Sequence, residues 1–596
     1  MATIKLTWEQ SWEDELRPGP INDYLEVIDI DPVSGQFYDP VDVNDPHLLA
    51  QDGLAPSEGD PRFHQQMVFA VAMKTIRTFE RALGRRVFWA PRRMADNTYQ
   101  PVQKLRIHPH ALREPNAYYS RETKALLFGY FRTSAKLAGA QWVFTALSHD
   151  IIVHETTHAI LDGLHRRFAE PTNVDSLAFH EAFADIVALF SHFTLEEAVR
   201  GQISRDGGRL DNRSLLSGLA RQFGEATGRD GALRDAIDGN IDGSPPILSD
   251  EMTEPHERGA VLVAAVFDAF LAIYENRTAD LLRIAGVKPG VTAGQDLHPD
   301  LVSRLTREAS KSAEHVMRMC IRALDYMPPV DIRFGDFLRA IITADYDLLP
   351  DDVLDYRLAI IDGFRRRGIV PEGSLSMAPD SLIWEAPAYR VSASELDLDL
   401  EPKFDRDQAI ELAEANAVAV HKWILKADMS KETEDAHWQE VCGVVFRRHL
   451  RSDDDRETIL SRPRIPRGFA APVEIHSVRT TRRAGPDGQD LRQLIIEIAQ
   501  QRRGFLDRSV QVEQDASGDD PQPGDFAFRG GATLIFDLRE GHLRYAVRKP
   551  ISDDRRLEDQ RSFLMDRQSA STALAYGLQD ALGDEAEPFA LVHRGG

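Results

Sequence analysis

Cysteine is almost absent. Two occur in 596 residues, Cys320 and Cys442, far apart and with no second pair to build a CxxC cluster. A disulfide framework and a thiolate metal site are excluded, and two buried thiols in a reducing compartment are expected. Long apolar runs are missing as well. The densest, near Val261–Ile273, is broken by Asp268 and falls short of the roughly 18 residues a bilayer span requires. The opening MATIKLTWEQSWEDELRPGP lacks the basic start, apolar centre and small-residue cleavage site of an export signal, so a cytoplasmic chain without membrane attachment is expected. Positive charge is in deficit, 71 Lys and Arg against 95 Asp and Glu, for a net charge of −24. Such a surface repels phosphate backbones, and no nucleic-acid partner is expected. No internal repeat is present. With 42% hydrophobic and 28% charged residues the composition is that of a globular protein long enough for several domains.

Four regions follow along the chain. Residues 1–60 are acidic, broken by Asp-Pro and Pro-Gly pairs, and carry one short apolar stretch at Tyr24–Ile30, so they read as an extended arm. Residues 61–372 form the main domain. In it FHQQMVFAVAMKTIRTFERAL places Val68, Val71, Ala72, Ile76, Phe79 and Leu83 at helical spacing before Gly84, which predicts a helix over Phe63–Leu83. Strands are predicted at Arg86–Ala90, Leu105–His108, Ala117–Ser120 and Ala125–Phe131. Helical patterns dominate from Ala146 to Phe364, interrupted by a Gly- and Asp-rich tract at Gly201–Ser249 that reads mainly as a long surface loop with one or two short helices, and DGFRRRGIVPEG ends the region. A linker at 373–402 leads to a C-terminal domain of α+β type, 403–596, with a helix at Asp407–Ile424, strands at Val473–Thr480, Gln493–Ala499, Thr533–Leu538 and Leu543–Val547, and an acidic loop near Asp515–Asp525.

Two stretches carry chemistry. IIVHETTHAI, Ile151–Ile160, holds the spacing HExxH. On a helix His154 and His158 lie one above the other and present two imidazoles to one point, with Glu155 beside them, as a zinc hydrolase requires. AFHEAFADIVALF, Ala178–Phe190, is apolar apart from His180, Glu181 and Asp185, so this helix should be buried with two carboxylates four residues apart on one face. Buried carboxylates need partners. Zinc ligation by Glu181, with Asp185 accepting an imidazole N–H, explains both; salt bridges to Arg166 or Arg167 are the alternative. The ligand set HExxHxxGxxH does not apply, because Leu161 and Leu164 stand where it needs glycine and histidine. His180 points away from Glu181 around the helix and reads as a packing or orienting residue.

HETTH followed by Glu-x-x-x-Asp resembles the thermolysin-type gluzincin zinc metallopeptidases. NAYYS at Asn116–Ser120 is similar to that family's substrate-aligning edge strand, SHDIIVHE to its approach to the zinc helix, and DSLAFHEAFADI to its segment around the third ligand. The likeness covers about Arg62 to Pro371. It implies an α+β fold: a two-lobed metallopeptidase domain, small N-terminal sheet plus helical C-terminal lobe, followed here by an accessory α+β domain. It also implies Zn2+ held by His154, His158 and Glu181, Glu155 as general base, Asp185 orienting a ligand histidine, and Asn116 and Ala117 pairing with the main chain of a peptide or protein substrate. His256, in EPHERGAVLVAAVFDAF, takes the place of the family's oxyanion-stabilising histidine, or else caps the helix that follows. There are departures. Glu181 stands 23 residues after His158, a longer gap than usual, and no tyrosine lies between them where the family has an oxyanion donor. Asp150 matches one position of the family's calcium cluster, but His192 occupies another, so structural calcium is not expected. A zinc endopeptidase is the expected function, with a zinc-binding pseudopeptidase or scaffold as the alternative. The C-terminal domain is a candidate surface for a protein partner, and the arm a candidate strand laid along Asn116–Tyr119.

Overall fold

The computed structural model describes residues 16–94, 99–132, 141–205, 246–287, 297–387, 391–401, 403, 405–429, 440–445, 473–485, 488, 490–517, 524–566 and 589. The first helix, α1 (Pro61–Leu83), shows how local chemistry sets the ends of an element. Asp60 caps it by accepting from the Arg62 N–H, Pro61 supplies a preset φ, and Gly84 stops it in the left-handed conformation. Gly84 is required twice: its φ is 70°, and an added Cβ would stand 2.3 Å from the Arg482 carbonyl oxygen. The buried stripe Val68, Val71, Ala72, Ile76 and Phe79 covers a five-stranded mixed sheet.

That sheet runs β1 (Leu25–Val27), β2 (Leu105–Leu112), β4 (Ala125–Arg132), β3 (Ala117–Ser120), with β5 (Trp142–Phe144) also on β4. β1 and β2 are parallel, as are β2 and β4, whereas β3 and β5 run antiparallel to β4. Two expectations are corrected. The apolar stretch in the expected arm is a strand of this sheet, with Tyr24, Leu25 and Val27 buried, and it pairs at the edge opposite β3, so it does not lie along Asn116–Tyr119. Burial of alternate side chains beneath α1 holds it there, together with the Trp89 indole N–H donated to the Tyr24 carbonyl at 2.9 Å. The second correction is Arg86–Ala90, which forms no strand. It passes across Gly163, where an added Cβ would stand 2.1 Å from the Phe88 carbonyl oxygen.

The next layer includes, among the described residues, α2 (His149–Leu164), α3 (Val174–Phe193), α4 (Pro255–Ile284), α5 (Pro299–Ala323), α6 (Phe334–Leu348) and α7 (Tyr356–Arg366), with the shorter helix Glu196–Arg205 beside them. Their inward faces share one hydrophobic core with the sheet. α2 and α3 are buried on nearly every side. α4 runs unbroken through Asp268, which pairs with Arg367 at 2.9 Å, and is long and apolar enough by composition to cross a membrane; 78% of its most apolar window is buried in the core. Residues 206–245 of the Gly- and Asp-rich tract and residues 1–15 of the arm lie outside the described residues.

The C-terminal region has a helix, α8 (Arg406–Met429), and an antiparallel meander of β6 (Glu474–Ala484), β7 (Asp490–Gly504), β8 (Phe526–Asp537) and β9 (His542–Lys549). Leu494, Ile496, Leu534 and Phe536 pack into a second core with Val420 and Ile424 of α8. The opposite face is buried too, because Ile535 and Tyr545 join the main core. Buried ion pairs line that junction: Asp325 with Arg85 at 2.6 Å and Arg483 at 2.5 Å, Glu497 with His165 at 2.9 Å and Arg479 at 3.0 Å, and Glu170 with Arg529 at 2.9 Å. The fold is α+β, with the second sheet bound directly to the helical layer.

Candidate metal centre

α2 carries HETTH where the helix is most deeply covered. Its two threonines satisfy their hydroxyls within the helix, Thr156 on the Ile152 carbonyl at 2.6 Å and Thr157 on Val153 at 2.8 Å, which leaves the side chains of His154, Glu155 and His158 to make the contacts that reach beyond it. α3 begins at Asn173, whose side chain accepts from the Asp175 N–H, and crosses α2 so that Glu181 faces the two histidines. One donor atom from each of His154, His158 and Glu181 lies within 4.8 Å of the others, and all three residues are buried.

The edges of this triangle test the fit to a metal. Glu181 Oε2 lies 3.4 Å from His154 Nε2 and 3.6 Å from His158 Nε2. Tetrahedral zinc with donors at about 2.0–2.1 Å sets donor separations near 3.4 Å. Those two edges match. The third, 2.9 Å between the two Nε2 atoms, is the length of an N–H···N hydrogen bond. The set therefore has donor types that zinc takes and two of its three edges at zinc spacing, with the third shorter.

The outer nitrogens are also held. His154 Nδ1 lies 2.8 Å from Asp185 Oδ1, and His158 Nδ1 lies 2.8 Å from His180 Nδ1. These contacts fix which nitrogen of each ring faces the centre. His180 thus orients a ligand candidate instead of merely packing, and its Nε2 has no hydrogen-bond partner among the described residues. Burial opposes a charge on His154, but hydrogen bonds to Asp185 and Glu181 and the nearby charges of Asp185 and Glu155 outweigh it and raise its pKa to about 10. Burial and the His158 ring hold His180 well below the usual histidine range. A site this rich in carboxylate favours a cation at its centre. Arg167 is engaged with Glu170 and Glu474, and Arg166 lies over the Tyr99 ring, so neither arginine serves Glu181 or Asp185 in the contacts described.

Glu155 is placed differently. Its Oε2 accepts the Tyr119 backbone N–H at 2.9 Å, tying it to β3. β3 is further pinned to α2 by Asp162, one turn past His158, which accepts from the Tyr119 hydroxyl at 2.8 Å and pairs with Lys124 at 2.9 Å and Arg121 at 3.0 Å. Burial alone would raise the Asp162 pKa, yet Arg121 and Lys124 hold it far below the carboxylate range. Sequence reading passed over Asp162, although its i+4 offset from His158 puts it on the same helix face. Asn116, just before β3, is a buried side chain with both Oδ1 and Nδ2 unpartnered among the described residues; Ala117 beside it is buried as well.

His256 reaches the centre from the first turn of α4. Its Nε2 stands 3.5 Å from Glu181 Oε2 and its Nδ1 2.9 Å from Glu254 Oε1. Glu254, not His256, caps the helix. Asp150 is bracketed by His149 at 3.0 Å and His192 at 3.4 Å. The last residue at the centre is one that local pattern could not signal, Phe589, whose ring stacks on His158 with centroids 4.3 Å apart. Compared with known proteins, the chain matches no family model and no curated sequence.

Proposed function

We propose that the chain is a zinc-dependent endopeptidase of the two-lobed gluzincin kind, cytoplasmic, acting on peptide or protein substrates and requiring neither nucleic acid nor membrane. The observation that carries the reading is the division of labour at one point: three buried donor atoms converge within 4.8 Å of one another, while Glu155, from the same helix as two of them, is held by the β3 backbone. His154, His158 and Glu181 would hold zinc, which supplies the Lewis acidity that polarises a carbonyl and acidifies water. Asp185 and His180 accept the Nδ1 protons of His154 and His158 and keep Nε2 of each turned inward. Glu155 takes a proton from the attacking water and passes it to the leaving amine. His256 donates Nε2–H to the developing oxyanion. Asn116, an unspent buried amide just before an edge strand, supports pairing with a substrate main chain, because its two polar atoms otherwise carry an uncompensated desolvation cost. The C-terminal region, whose sheet is bound to the helical layer, is the candidate surface for a protein partner.

A peptide-library digest with the intact chain and Glu155→Gln tests this. The expected result is cleavage by the intact chain and loss of at least about a hundredfold in the variant, which still binds zinc. Loss of metal from that variant would make Glu155 a ligand and sink the assignment. A zinc-binding protein without hydrolysis is the second reading, favoured by the missing tyrosine between His158 and Glu181 and by the ring lying on His158. Zinc in the intact chain with no peptide cleaved would select it.

A further inference from the structure

A hollow of about 150 Å³ lies between the short antiparallel pair Arg92–Arg93 and Tyr99–Gln100, the start of β2, and the turn that joins β3 to β4. Arg92, Lys104, Arg106 and Lys124 line it, with Gln100 and Thr123 beside them, and no carboxylate does among the described residues. In a chain with 95 acidic residues against 71 basic ones, four cations round one hollow run against the trend. Their charges are only partly answered. Lys124 Nζ pairs with buried Asp162 at 2.9 Å, a carboxylate that Arg121 shares at 3.0 Å. Arg106 Nε stands 3.6 Å from Glu26 Oε2, beyond hydrogen-bond reach. Arg92 donates to the Thr123 carbonyl at 2.9 Å, which joins two walls of the hollow without neutralising the guanidinium. Lys104 is half-buried and makes no hydrogen bond or ion pair among the described residues. Burial pulls the Lys124 ammonium below the usual lysine range against the pull of Asp162, and the charges of Arg121 and Arg166 act in the same direction as burial. Like charges gathered in this way repel, and an anion among them removes that cost.

Size and charge select the anion. The hollow has room for about five waters, too little for a peptide segment or a drug-sized molecule and enough for one compact group. A carboxylate brings one charge and two acceptor oxygens. A phosphate monoester brings about two charges and three acceptor oxygens, which suits two guanidinium groups and an unspent ammonium. A nucleic acid would need a basic track, and the net charge of −24 opposes its approach. We propose that this hollow is a binding site for the phosphoryl group of a small phosphate monoester, held by Arg92, Lys104 and Arg106 with buried Lys124 at its base. The site does not depend on the peptidase reading, because none of these side chains belongs to the candidate metal centre.

Calorimetry with glycerol 3-phosphate on the full chain and on Lys104→Gln tests the proposal. Replacing Lys104 breaks no described contact, so the variant removes a charge without disturbing the fold. The intact chain should bind the probe, and K104Q should bind it at least about tenfold more weakly. Lys311→Gln, which removes an equal charge from an exposed position on α5, should bind it as the intact chain does. Glycerol should not bind, and acetate should bind far more weakly than the probe. No binding of glycerol 3-phosphate, or equal affinity in K104Q and the intact chain, would overturn the proposal, the second by placing the phosphate elsewhere, at zinc for example. An equal loss in K311Q would reduce the effect to general charge attraction and overturn it as well. Acetate bound as tightly as the probe would remove phosphate as the ligand class, and binding of a phosphoserine peptide in place of glycerol 3-phosphate would replace the small molecule by a modified protein.

Discussion

Glu155 and Glu181 are the same residue type, equally buried, and their neighbours give them different work. Glu181 Oε2 faces nitrogen from His154, His158 and His256 at 3.4–3.6 Å, whereas Glu155 Oε2 faces a backbone N–H. Removing Glu181 takes away a donor; removing His180 takes away only the partner that orients one. Glu181→Ala should therefore lower zinc affinity far more than His180→Ala, for which a loss of about 10–100-fold is expected, as for Asp185→Ala. Chelator competition measures both, and equal losses or the reverse order would assign a different ligand set. That His154, His158 and Glu181 could meet was legible in the sequence, because HETTH sets two of them by helical period and the lone carboxylates of an apolar helix had to find something. His256 was reached only through the family resemblance of EPHERGAVLVAAVFDAF, and Phe589 not at all, because its contacts join residues distant in sequence and nothing in its local pattern names its partner.

At the scale of elements, α1 and α2 could be read from period and caps, and the strands Ala117–Ser120 and Ala125–Arg132 from their aromatic and β-branched content. β1 could not. Three residues in an acidic, Pro-broken stretch gain strand structure only through a parallel partner some eighty positions away, a tertiary effect that propensity does not contain. Arg86–Ala90 fails in the other direction, β-prone in composition but lying where α2 approaches closely at Gly163. That approach is testable. Gly163→Ala would place a methyl inside the contact with the Phe88 carbonyl, and a loss of roughly 1–3 kcal/mol is expected from the forced separation. A thermal melt of the variant reads it, and an unchanged midpoint would show that the helix does not sit so close. Because α2 carries two ligand candidates, the same variant should bind zinc more weakly.

Across the whole molecule, the second sheet is joined to the helical layer by charges, not by apolar surface alone. Burial works against ionised Asp325, and Arg85 and Arg483 outweigh it, holding the carboxyl below its usual range. Asp325→Ala leaves two guanidinium groups buried without their acceptor and should cost about 3–5 kcal/mol in denaturant unfolding; a change under about 1 kcal/mol would mean that water already reaches these arginines. Glu497 and Glu170, on either side of the same junction, are opposed by burial but brought down to about 2, Glu497 by Arg479 and His165 and Glu170 by Arg167 and Arg529. A depressed folded pKa stabilises above the unfolded value. Their contribution is thus complete above about pH 4.5 and is lost as the pH falls toward 2. Acid unfolding should be steepest in that window, and Glu497→Gln should flatten it; an identical pH profile in the variant would place the acid sensitivity elsewhere.

The central claim is that His154, His158 and Glu181 form one zinc site. Its most direct test is the zinc content of the purified chain, measured by mass spectrometry without chelators in preparation, beside that of a folded Glu181→Ala variant. About one zinc per chain, largely lost in the variant, is the predicted result. A folded chain that takes up no zinc, or a variant that keeps it at full occupancy, would contradict the account.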